Sequence, residues 1–186
     1  MSADETLSAI AREVGVCTKC PLHLTRTKAV PGEGPSGARV MIVGEGPGSN
    51  EDREGRPFVG AAGSNLDELL RFAGLARDSV FITNIVKCRP PGNRRPTTLE
   101  SDTCHSYLRR QIEAIDPAFI VLLGDTALKH FFPDGTLASL HGRAVVRAPR
   151  TFFPTYHPAS MLYNPSLKQV MERDYAELGR LLSALG

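Results

Sequence analysis

Cysteine is scarce in this 186-residue chain, and its placement is the first sign of chemistry. Cys17 and Cys20 stand at C-x2-C spacing inside VCTKCPLHLTRT, and Cys88 and Cys104 follow far downstream. Such a pair serves a disulfide, a redox couple or a metal. The N-terminal MSADETLSAI is acidic and lacks the basic start and apolar centre of a secretion signal. No apolar run approaches membrane-spanning length. A cytoplasmic protein is expected, and stable disulfides are rare there. A thioredoxin-like pair follows a strand and opens a helix. Here an amphipathic helix precedes the pair and Pro21 follows it. Four thiols with one close pair is the donor count of a zinc or iron–sulfur centre. A zinc ribbon more typically shows two C-x2-C knuckles. The wide separation of Cys88 and Cys104 therefore leans toward iron–sulfur, with unrelated buried cysteines as the plainer alternative.

Other candidates lie in loops. GEGPGSNED offers a Gly-rich turn after a strand, able to cradle a phosphate or simply to turn tightly, but it is neither G-x-G-x-x-G nor a P-loop. In GRPFVG, Phe58 sits among glycines and a proline, where its ring is either core or a stacking face for a planar ligand. Asn84 closes the apolar run of ITNIVKCRPP. Its amide pairs with any group showing an acceptor beside an N–H, as uracil does through O4 and N3–H, and cytosine shows the opposite pattern. A turn or cap asparagine is the plainer role. His157 in FPTYHPAS could stabilise developing negative charge in a closed site, or be an ordinary exposed histidine; His130 and His141 read as structural. The loop after Asn84 carries Lys87, Arg89, Arg94 and Arg95 without an acid. The net charge is only +2, so affinity for nucleic acid must come from such a local patch, unless it is merely a solvated face.

The elements that must position these residues follow from periodicity. Hydrophobic residues make up 41% and charged residues 23%, ordinary for a folded domain, and the length fits a single domain over 1–186. A helix is expected over 4–15, with Leu7, Ile10, Ala11 and Val14 on one face. Apolar strands are expected at 39–44, 79–86 and 118–124, and two more near 143–147 and 151–155. The stretch 45–63 reads as one long loop. Helices are expected over 64–75 with Ser64 as N-cap and Gly74 as stop, over 98–115, over the DTALKHFF segment, and over the closing PSLKQVMERDYAELGRLLSAL. Strands alternating with helices predict an α/β fold with a parallel sheet covered on both faces. Ligands of such folds bind beyond the carboxyl ends of the strands, where the loops 45–60, 84–96 and 156–164 all begin.

Taken together and in this order, C-x2-C, MIVGEGPG, GRPFVG, ITNIVKCRPP, Cys104, IVLLG and HPAS resemble the family 4 uracil-DNA glycosylases over nearly the whole chain. Each motif is weak alone; the set is strong. The resemblance implies a three-layer α/β/α sandwich around a central four-stranded parallel sheet, which would make the fifth strand peripheral. It implies a [4Fe–4S] cluster on Cys17, Cys20, Cys88 and Cys104. It implies uracil held in a pocket with Gly44 and Gly46, stacked on Phe58, hydrogen-bonded by Asn84 and met at O2 by His157. The activity implied is monofunctional hydrolysis of the N-glycosidic bond of uracil in single- or double-stranded DNA, by a monomer without membrane attachment. Many uracil glycosylases carry an aspartate where this chain has Gly46, so Glu45, the nearest carboxylate, is assigned to water. DNA contacts are expected from Lys87, Arg89, Arg94 and Arg95, with Met161 or Leu162 as the wedge that fills the vacated stack. A related group bonds covalently to the abasic sugar through a histidine in an extra KRRIH loop. CRPPGNRRPT has neither histidine nor insertion, so ordinary turnover is expected. Two readings compete: a non-catalytic iron–sulfur nucleic-acid-binding module, such as a domain serving a polymerase, and a zinc-stabilised nucleotide hydrolase, which the absent Walker lysine argues against.

Overall fold

The computed structural model describes residues 2–185. Five strands form one sheet: β1 (Val40–Gly44), β2 (Phe81–Asn84), β3 (Phe119–Leu123), β4 (Val145–Arg147) and β5 (Arg150–Thr155), in the order β2-β1-β3-β5-β4. The first four in that order run parallel, and β4 pairs antiparallel with β5 at the edge. The expected four-stranded parallel sheet is therefore present, extended by one peripheral hairpin strand.

The helices are α1 (Ala3–Gly15), α2 (Ser49–Glu54), α3 (Ala61–Phe72), α4 (Thr98–Ile115), α5 (Gly124–Phe131), α6 (Leu137–Leu140), α7 (Ser160–Tyr163) and α8 (Leu167–Ala184). The period-two alternation of the strands sorts the core into two layers. Val40 and Ile42 face α3 and α8, with Leu66, Leu70, Met171 and Tyr175. Met41 and Val43 face α4 and α5, with Leu108, Ile112 and Leu128. The three-layer sandwich follows from that alternation.

Capping decides where the helices begin. The side chains of Ser2 and Glu5 cap α1 reciprocally, and Thr97 and Glu100 do the same for α4. α3 departs from the sequence expectation. It starts at Ala61 with Gly60 as its cap, and Ser64 lies inside the first turn. The 45–63 stretch is also not all loop. SNEDRE winds into α2, ended by Gly55 in the left-handed conformation. Glycines on both sides hid a short helix whose own residues are all good formers or caps.

The Tyr175 side chain is fully buried, and its hydroxyl has no protein partner. A buried unpaired hydroxyl carries its desolvation cost without return. Tyr175→Phe is therefore expected to leave stability unchanged or raise it by about 1 kcal/mol, read from chemical denaturation. A loss of similar size would show that the hydroxyl has a partner.

Candidate functional site

One cleft of about 600 Å³ opens at the carboxyl edge of the parallel strands. Its lining includes Glu45, Gly46, Phe58, Asn84, Arg94, Arg95, His157 and Leu162, which arrive from loops far apart in the chain. The register explains the meeting. Gly44 and Asn84 are paired neighbours at the ends of β1 and β2, while Thr155 of β5 ends opposite Leu123 of β3, two residues before His157. Gly44 is the joint of the site: a Cβ there would lie 2.5 Å from Asn84 Oδ1 and 2.9 Å from the Phe58 ring. Only glycine lets amide and ring come this close. Gly46 is as tight, since its Cβ would meet Val86 at 2.8 Å.

Asn84 is buried, and its Oδ1 has no hydrogen-bond partner within the protein. Its backbone carbonyl is held by Lys87 Nζ at 2.9 Å. Phe58 is buried with φ of 51°, a left-handed conformation rare for a bulky residue. Its ring stacks against the His157 imidazole, with centroids 5.5 Å apart and planes 28° from parallel. The backbone N–H of Ala159 donates to His157 Nδ1 at 3.1 Å. That bond makes Nδ1 the acceptor and leaves the proton on Nε2. Burial pushes the His157 pKa down to about 4, partly opposed by the nearby Glu51 carboxylate. The ring is thus a neutral N–H donor at neutral pH. Glu45 is half-buried at the mouth, and the Thr126 hydroxyl donates to its carboxylate.

Glu51 was not legible in the sequence. Its carboxylate accepts from the backbone N–H groups of Gly48, Val59 and Gly60, at 3.1, 3.0 and 3.2 Å. One side chain of α2 so ties the turn after β1 to the loop of Phe58. Its only signal was its place three residues after Gly48, where a carboxylate reaches back to a helix start.

The basic loop needs correction. Lys87 is not a phosphate contact: it is 1% exposed, and Nζ donates to Thr83, Asn84 O and Gln111. Its side chain follows β2 into the interior instead of the surface. Arg94 binds Glu100 through two hydrogen bonds of 2.8 Å, and this pairing, first among the causes, holds the Glu100 carboxyl down at about 2. The acid was absent from the loop in sequence but present on α4 in space. Arg89 donates to Asn93 at 2.7 Å, and Arg95 stays 71% exposed, 3.5 Å from Asp125. Of the two wedge candidates, Met161 is half-buried against the core beside α8, while Leu162 stands exposed at the cleft with Tyr163. A helical turn starting at Ser160 rotates Met161 inward. His130 and His141 are paired with His105 and Asp174 respectively, away from the cleft.

The four cysteines line a second cavity, together with Val14, Leu22, Val86 and Tyr107. Among the described residues no group of three or more His, Cys, Asp or Glu closes on a single metal ion. Two cations share the cavity wall, Lys87 and Arg26, and Arg26 Nη1 donates to Cys88 Sγ at 3.2 Å and to Cys17 O at 2.8 Å. Burial raises the Cys88 thiol and pushes Cys104 up to about 11, so any metal bound there must displace protons. No helix among the described residues is long and apolar enough to cross a membrane.

Comparison with known proteins places the chain in a family. A family model of the uracil DNA glycosylase superfamily matches residues 31–179. The chain is 46% identical to the type-4 uracil-DNA glycosylase of Sulfurisphaera tokodaii, over 95% of this chain and 85% of that one. It is 44% identical to the type-4 enzyme of Saccharolobus solfataricus, over 97% and 88%. It is 46% identical to that of Thermotoga maritima, over 92% of each. A chain matched by that family model over residues 31–179, and by these relatives over nearly its whole length, belongs to the uracil DNA glycosylase superfamily, among its type-4 members.

Proposed function

We propose that this chain is a DNA repair glycosylase that hydrolyses the N-glycosidic bond of uracil in DNA and leaves an abasic site. The observation that carries the proposal is the orphaned Oδ1 of Asn84. A buried acceptor left without a partner is costly to the fold, and a ligand N–H at that point removes the cost. Uracil N3–H supplies that donor, and cytosine N3 does not. The neutral His157 donor in the same cleft, suited to negative charge developing on a base, favours catalysis over a non-catalytic nucleic-acid-binding module.

The mechanism follows from the neighbours. The target nucleotide is turned out of the stack into the cleft. Phe58 offers its ring face to the base, and Asn84 reads the O4 and N3–H edge. As the glycosidic bond lengthens, the sugar gains oxocarbenium character and the base becomes an anion. The neutral His157 Nε2–H then donates to uracil O2, a preorganised donor worth about 10²–10³ in rate. Glu45, oriented by Thr126, holds the attacking water. Arg89 and Arg95 meet phosphates at the rim, while Arg94 stays paired with Glu100, and Leu162 enters the gap in the stack. The whole chain works as one domain, as a monomer in the cytoplasm.

The donor set of the second cavity fits a thiolate-held group: four sulfurs, apolar walls and two cations to offset negative charge. The sulfurs line a cavity instead of closing on one ion, an arrangement that would suit a cluster better than a single metal. Cys17, Cys20, Cys88 and Cys104 would hold a [4Fe–4S] cluster, which supplies a structural crosslink and no electron to the hydrolysis. Through it these cysteines would join the segment after α1 to α4 and to the loop that leaves Asn84.

Three measurements test this reading. Asn84→Ala is expected to lower kcat/KM on a uracil-containing oligonucleotide by about 10²–10³ or more, with the melting temperature unchanged or raised. Full activity in this variant ends the assignment. The pH profile of excision should show no inflection near 6.5, the ordinary histidine value, because His157 stays neutral down to about 4. The folded state then binds fewer protons than the unfolded one between about 4 and 6.5. His157 therefore contributes stability above that window that is lost as pH falls through it. An NMR titration midpoint at 6.5 would contradict this. The purified protein should be brown, with about four irons per chain, and Cys88→Ala should lose colour and melt earlier. A colourless zinc protein would count against the cluster.

A further inference from the structure

We infer that Arg77 is the positioning residue of the Phe58 ring, clamping its strained backbone from outside the cleft and so setting how well the site holds a pyrimidine. The inference rests on the proposed role of Phe58 as stacking face. A bulky L-residue at φ of 51° returns to ordinary backbone geometry unless its surroundings prevent it. Such a return would swing the ring away from Gly44 and His157.

Arg77 is what prevents it. Nη1 donates to Phe58 O at 3.0 Å, and Nη2 donates to Pro57 O. The same two nitrogens reach Asp67 at 3.1 Å and Glu33 at 3.2 Å, so the guanidinium is itself fixed by two carboxylates. Glu33 also takes two bonds from Arg56, at 2.8 and 3.0 Å, two residues before Phe58. From beneath, Gly63 lets α3 approach so closely that a Cβ there would lie 1.9 Å from Phe58 O. The carbonyl is boxed between helix and guanidinium. Arg77 lies in the short turn Arg77–Ser79 between α3 and β2, and it is not part of the cleft lining. Any effect it has on the base must pass through Phe58. A lysine would keep the charge but lacks the planar fork that bridges two successive carbonyls.

The test is a double-mutant cycle on the full chain, since a residue that acts only through another is silent once that other is gone. Wild type, Arg77→Met, Phe58→Ala and the double variant are compared in kcat and KM on a uracil-containing oligonucleotide and in inhibition by free uracil. Each single variant is expected to lose about 5- to 100-fold in kcat/KM, the range of one lost base–aromatic stack, with uracil inhibition weakened in parallel. The double variant should be no worse than Phe58→Ala. Additive losses, or Arg77→Met at wild-type level, would overturn the inference. If instead Phe58→Ala behaves as wild type, the stacking role itself falls, and the clamp with it. Should Arg77→Met not melt cooperatively, Arg77→Lys enters the same cycle and is read by the same criteria.

Discussion

The in-register pairing of β1 with β2 is the constraint from which the rest of the site follows. Parallel pairing sets Gly44 beside Asn84, and the missing side chain of Gly44 leaves the space that amide and ring share. A slip of one residue would turn Asn84 into the opposite core layer. The register is held by the two-sided burial of Val40 to Val43, which admits no polar residue on either face. The placement of Asn84 beside Gly44 is thus a by-product of hydrophobic packing.

The segment leaving β2 joins the two cavities. Asn84 faces the cleft and Cys88 the cysteine cavity, with Lys87 between them. Its ammonium is fully buried without a carboxylate partner among the described residues, and burial brings its pKa down to about 8. It donates to the carbonyl of Asn84 and to Gln111 of α4, the helix that also carries Cys104. Gln111 in turn donates to Pro31 O at 2.7 Å. An isolated buried cation is expensive. Beside four sulfurs it acquires a reason under the proposed function, since it lies between those sulfurs and the backbone of Asn84.

The sequence made the architecture readable where burial dictates type. The apolar strands, the α4 boundaries at Thr98 and Ile115 and the convergence of loops at one sheet edge all follow from local pattern. The short α2 escaped because its flanking glycines read as loop. Partners joined across the end of an element escaped for a different reason. Glu100 neutralises Arg94 across a helix cap, Glu51 reaches the backbone of Val59, and Arg77 reaches Phe58 O from nineteen residues away. The capping-box places of Glu51 and Glu100 mark helix starts, and nothing in the sequence marks these partners. Lys87 misled most, because a basic residue in a basic loop is normally exposed, and only the path of β2 turns it inward.

The site concentrates what a stable fold avoids: an unpaired buried acceptor, a phenylalanine in left-handed backbone, a histidine held neutral by burial, and close approaches that only glycine permits. Such features persist where the surroundings over-determine them. Here the surroundings are two side chains of opposite sign on opposite sides of one loop. Glu51 takes the N–H groups of Val59 and Gly60, and Arg77 takes the carbonyls of Pro57 and Phe58. Four backbone groups flanking the ring are held in this way, and relaxing the loop would break those bonds. A base entering the cleft then meets a surface already in its working shape, and its binding energy is not consumed in ordering the protein.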